Sequence, residues 1–181
     1  MRQTRTLLVS FLLAAFTAGC GHLIYTTGPY RGRVVDAETK QPLAGAAVLA
    51  VWRWEGPGLG HPREMFYDAV ELVTDGNGEF NLPRKTHFTV SGQVTEPDII
   101  IYYPGYGLFP GYQIQPKGVA LDSAFREHTV VELPRLKTRK EMEEHAGLPA
   151  GTVGVPDAKM PTLIRLVNLA RKNLGLAPVH E

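Results

Sequence analysis

The tetrapeptide Asp75-Gly76-Asn77-Gly78 stands between two runs that alternate apolar and polar residues, and it leaves this chain little choice but an antiparallel hairpin. Glycine and asparagine accept the positive φ angles that a tight reversal needs. The run before it, 65–74, offers Phe66, Ala69 or Val70, and Leu72 as inward positions, and the run after it, 79–82, is the return strand with Phe80 as a core anchor. Turn signals recur along the chain, which holds 19 Gly and 14 Pro, and this spacing favours short strands over helices. Residues 30–36, 45–53, 87–95, 98–103 and 128–133 read as further strands, with 45–53 the more buried and 55–63 a Gly/Pro-rich loop. With no helices between them, these strands predict an all-β sandwich and not a parallel βαβ sheet.

The C-terminal part has a different period. Residues 137–145 read as a short charged helix that ends at Gly147. Leu163, Leu166, Val167, Ala170 and Leu174 then recur at offsets of three and four, which places one apolar stripe on a helix over 160–174, with Gly175 as its cap. Such a stripe is a docking face.

The N-terminus reads as an export signal. Arg2 and Arg5 precede the apolar core at 7–16, and Thr17-Ala18-Gly19 lead into Cys20. The apolar run is about half the ~20 residues that a membrane span requires. Cys20 is the single cysteine, so no disulfide forms within the chain. Ala18-Gly19-Cys20 resembles the lipobox of bacterial lipoproteins, with Thr17 where that family usually carries an aliphatic residue. The resemblance implies cleavage before Cys20 and a lipid on its sulfur. It also implies the outer membrane, since Gly21 and not aspartate follows the cysteine. Several acyl chains anchor a protein stably, at about 0.8 kcal/mol per buried CH₂. Residues 1–19 are then the signal peptide and 20–29 a lipidated tether.

Three stretches in order carry a second resemblance. They are Arg31-Gly32-Arg33-Val34-Val35-Asp36 with Pro42-Leu43-Ala44-Gly45-Ala46-Ala47-Val48, then Thr74-Asp75-Gly76-Asn77-Gly78-Glu79-Phe80, then Tyr103-Pro104-Gly105-Tyr106. This pattern is similar to that of the carboxypeptidase regulatory-like (transthyretin-like, prealbumin-like) domain. The likeness implies a seven-stranded Greek-key β-sandwich over 30–136, in which these residues are structural, and leaves 137–181 as a helical extension.

Several constellations have the residue types that chemistry needs. His61 and Glu64 have the His-x-x-Glu spacing of two zinc ligands, and His128 is the remaining candidate for the third that a catalytic zinc needs. Asp75, Asn77 and Glu79 alternate as oxygen donors, but calcium wants six to eight oxygens and the stretch lacks the acidic spacing. Trp52, Trp54 and Tyr106, together with Tyr102, Tyr103 and Tyr112, form the candidate ligand-binding aromatics, with Trp52 and Trp54 on one strand face. No nucleophile motif and no phosphate-binding glycine loop occurs. The whole chain carries a net charge of +1, and beyond residue 19 about −1, which makes nucleic acid a poor partner.

The reading that follows is a non-catalytic, membrane-anchored binding or scaffolding module of the bacterial cell envelope. It carries no cofactor or metal; its partners are the lipid membrane, through acylated Cys20, and an unidentified envelope protein or glycan. A small zinc-dependent hydrolase built on His61 and Glu64, or a carbohydrate- or peptidoglycan-binding module, are the alternatives.

Overall fold

The computed structural model describes residues 24–61, 63–111 and 129–179. The expected signal peptide, Cys20, Gly21, Tyr112 and His128 lie outside the described residues. The described chain is mostly β-strand in several sheets, with few helices. In order, the strands are β1 (Ile24–Thr27), β2 (Tyr30–Asp36), β3 (Ala47–Gly56), β4 (Arg63–Val73), β5 (Glu79–Leu82), β6 (Lys85–Phe88), β7 (Gln93–Val94), β8 (Asp98–Tyr102) and β9 (Thr129–Leu133). Two helices follow, α1 (Arg139–Glu144) and α2 (Pro161–Leu174), with one-turn 3-10 helices at Ala150–Thr152 and Asp157–Lys159.

One sheet has the order β5-β2-β9, with β2 antiparallel to β5 and parallel to β9. In the other, β3 pairs with β4 on one edge, and with β7 and β8 in succession on the opposite edge. The two sheets face each other across one apolar core. Val34, Leu82, Val131 and Leu133 come from the first, and Val48, Ala50, Trp52 and Ile101 from the second. The remaining pair, β1 with β6, forms a ribbon of its own.

β3 is buried on both faces because its apolar residues run without alternation from Ala47 to Trp52. Ala46, Val48, Ala50 and Trp52 enter the sandwich core. Ala47, Leu49 and Val51 point the other way, into a second core with Leu163, Leu166 and Val167 of α2. This doubling settles the choice on β4, where Val70 and Leu72 pack inward while Phe66 and Ala69 pack under the helix. A bulge makes room for Tyr67, since Trp52 pairs with Asp68 and Arg53 with Phe66.

The helix bears out its sequence pattern, with the expected stripe as its docking face. Pro161 occupies the first turn, and Gly175 ends the helix at a left-handed φ of 74°. Its N-terminus has no cap of its own. Glu71 on β4 fills that role, accepting from the backbone N–H groups of Thr162 at 2.8 Å and Leu163 at 2.7 Å. α1 caps itself through the Thr138/Glu141 box.

Some expectations change. Nine strands lie among the described residues, two more than the expected sandwich counts. Ile24–Thr27 belongs to β1, paired from Ile24↔Phe88 to Thr27↔Lys85, so residues 24–27 of the expected tether are sheet. The run 87–95 holds the end of one short strand, β6, and the whole of another, β7, separated by residues 89–92. Glu55, Gly56 and Arg63, expected in a loop, are paired in the β3–β4 hairpin.

Candidate functional site

Asp36 ends β2 and is 1% exposed. Its Oδ1 accepts from the N–H groups of Glu38 (2.8 Å) and Thr39 (2.9 Å), and its Oδ2 from the Tyr106 hydroxyl (2.8 Å) and Arg135 Nε (2.6 Å). The Thr39 backbone bond leads in holding this carboxyl far below its ordinary value of 3.8, with the Arg135 and Tyr106 bonds adding to it against desolvation. Burial, then the Asp36 carboxylate, push the Tyr106 hydroxyl up to about 12. Tyr106 is therefore a structural clamp. A depressed carboxyl stabilises the fold above its unfolded value and loses that contribution as pH falls. Asp36→Asn should lower the urea midpoint at pH 7, with the gap to the parent closing as pH drops below about 4; a gap that stays constant contradicts the assignment.

A second polar group is buried beside β1. Thr27 Oγ1 accepts from Trp52 Nε1 at 2.9 Å and lies 3.0 Å from His87 Nε2. His87 is 1% exposed, and its Nδ1 meets no hydrogen-bonding group among the described residues. Desolvation and then Lys85 hold its pKa below 6.5, so the ring is neutral. Lys85 Nζ stands 4.7 Å over the Trp52 ring and pairs with Asp68, whose other oxygen accepts from Lys159 at 2.9 Å. Burial opposes the charge on Asp68, but Lys159 and Lys85 outweigh it and pull its pKa to about 2. These groups fasten β1 to the core.

A well-formed concavity lies elsewhere among the described residues. It is a cleft of about 380 Å³ between Asp98–Ile100 of β8, the stretch Leu108–Pro110, and the turn around Ala150. That volume falls within the range of small-molecule sites, roughly 300–1,000 Å³. Ile99 and Phe109 give it apolar walls, and Tyr30 reaches it from β2. Phe109 is held by reciprocal backbone bonds with Ile101 at 3.1 Å. Gly151 comes so close that a Cβ there would stand 2.8 Å from Ile100 Cδ1. Arg53 braces the rim, donating to Gly151 O at 3.0 Å and lying 3.4 Å from Asp98 Oδ2. Such a site can hold a small apolar molecule, while its one lining carboxylate, Asp98, is already paired with Arg53.

The aromatics expected to bind ligand are placed differently. Trp52 is fully buried and is removed as a surface contact. Trp54 is half-buried, its Nε1 donating to Ser91 O at 2.7 Å while its ring covers Gly56 and Gly92. Alternation along β3 does put both indoles on one side, but they make no open platform. Glu64 is paired with Arg53 at 3.0 Å, and among the described residues no three metal-ligating side chains converge. Asp75 Oδ1 accepts from the N–H groups of Asn77 (2.9 Å) and Glu79 (2.8 Å), closing its own turn. Sequence reasoning missed Thr27, His87 and the cleft. The cleft walls join Tyr30 and the 149–151 turn to the neighbouring stretches 97–100 and 108–110, which share no readable spacing, and the one local hint to His87 was the alternation of Thr86-His87-Phe88 across a strand.

Against family models, curated proteins and solved structures, the chain has no significant match.

Proposed function

We propose that this chain is a bacterial lipoprotein whose body is a non-catalytic binding or scaffolding module, held at the cell envelope by lipidated Cys20. The observation that carries the anchoring is proximity: Cys20 is four residues ahead of Ile24, where the first strand begins, so the leader joins the folded body almost directly. The outer membrane is the proposed location, from Gly21 after the cysteine.

We take the body to be a carboxypeptidase regulatory-like, seven-stranded Greek-key sandwich, with β1, part of the 85–94 segment and α2 as additions. Contact among the sequence motifs supports this reading. Gly32 lies so close under Phe80 that a Cβ would meet the ring at 2.7 Å. Gly78 takes a φ of 74° against Val34 O. The Thr74 hydroxyl accepts from Ala46 N at 2.9 Å and donates to Leu43 O at 2.6 Å, while Asp36 receives Tyr106. The apolar cleft favours binding over chemistry, since its rim carboxylate Asp98 is occupied by Arg53.

Expressed in a bacterial host, the mature protein should begin at Cys20 with added lipid mass by mass spectrometry, and should float with membranes. Cys20→Ser should remove both properties. A chain recovered from the soluble fraction with Met1 in place overturns the proposal.

A further inference from the structure

We propose that the end of the body where β1 starts is a membrane-contacting face, with Ile24, Phe88, Val90 and Leu59 entering the headgroup region of the bilayer that holds the anchor. The inference rests on the reading of Cys20 as lipidated. Four residues of extended chain span at most about 14 Å, so a lipid on Cys20 keeps Ile24 within that distance of its attachment point.

The register of the β1–β6 ribbon gives this end its character. Ile24 and Phe88 are direct partners, so their side chains share a face, and they are 63% and 61% exposed. The next pair on that face, Thr26 and Thr86, is polar, and the far end of the ribbon carries Lys85. The ribbon is therefore greasy where the leader enters it and polar away from it. Val90, two residues past Phe88, is also exposed.

Three contacts bring the β3–β4 hairpin tip to the same end. Glu55 pairs with Gln93, Trp54 donates to Ser91 O, and the Tyr25 hydroxyl donates to Gly92 O at 3.4 Å. Leu59, beyond that tip, is fully exposed. Of the five most exposed large hydrophobic residues among those described, only Val153 is not in this group. Apolar side chains gathered at one end are ordinarily covered, and the cover argued from the position of Cys20 is lipid. Side chains of this kind lie at the boundary between headgroups and acyl chains without spanning.

The test uses the full chain, processed in its host and reconstituted in vesicles of phosphatidylethanolamine and phosphatidylglycerol. Val90→Cys and Val73→Cys each receive a thiol-reactive fluorophore. Val73 is exposed at the opposite end of β4 from the hairpin tip, roughly 33 Å away at 3.3 Å per residue. Nitroxide-bearing lipids should quench the label at position 90 several-fold more strongly than the label at 73. Equal quenching at the two positions in floating protein overturns the membrane face. So does a label at 90 that is shielded from aqueous quenchers but untouched by lipid ones, since a protein then covers it. Failure of the anchor is separate and visible: a sulfur that carries lipid takes no thiol reagent, so two labels per chain, or absence of flotation, reports an unmodified Cys20.

Discussion

Trp52→Ala should lower the unfolding free energy by about 3–5 kcal/mol, the largest loss expected from any single truncation in this chain. The indole is fully buried where β3 of one sheet meets the two strands of the β1–β6 ribbon. It packs in the sandwich core, donates to Thr27 on β1, and lies with its centroid 5.3 Å from that of His87 on β6. Its removal opens a cavity and also deprives the Thr27 hydroxyl of a donor, so the β1–β6 ribbon loosens with the core. Trp52→Phe keeps most of the volume and deletes the N–H, and it should cost about 1–2 kcal/mol. Urea denaturation followed by circular dichroism measures both. A Trp52→Ala loss below about 1 kcal/mol contradicts the described packing.

Leu163→Ala is expected to cost about 2–5 kcal/mol, while Leu169→Ala on the same helix stays within about 0.5 kcal/mol. Leu163 is 1% exposed and meets Leu49 and Val51 in the core beneath α2, whereas Leu169 is 45% exposed. The two substitutions remove the same atoms from the same helix with the same propensity change, so their difference isolates burial. It decides whether α2 is an integral layer over β3 or a loosely attached appendage. Equal losses contradict the docked helix, and the same urea titration reads them.

Much of this layering was legible in the sequence. Asp75-Gly76-Asn77-Gly78 marked its turn because local backbone geometry alone demands those residues, and the apolar stripe on α2 announced a buried face through its period. The unbroken run from Ala47 to Trp52 said that β3 is buried, but periodicity cannot say what covers each side. The strand at Ile24–Thr27 was unreadable because it is four residues long and followed by Gly28-Pro29, and because its partner begins at Lys85, far along the chain. The bulge at Tyr67 leaves no signal either, since it exists only relative to β3. At the site level, Asp36 and Tyr106 each belonged to a recognisable motif, yet nothing in sequence said that they touch. Trp52 drew attention as a binding residue because exposed and buried indoles look alike in a strand. The Thr27 hydroxyl and His87 that make it a core residue are brought to it by pairing across the ribbon.

The parallel pairing of β2 with β9 places an early strand at the centre of its sheet, beside a partner made much later. Asp36 and Arg135, which join at the end of that pair, are 99 residues apart. At about 5–20 residues per second of synthesis, β2 waits roughly 5–20 s for its neighbour. Over that interval β5 can dock on one edge, while the other edge stays an open template for any extended strand nearby. Slowed or truncated synthesis should therefore leave that edge bare for longer and yield aggregates seeded at β2.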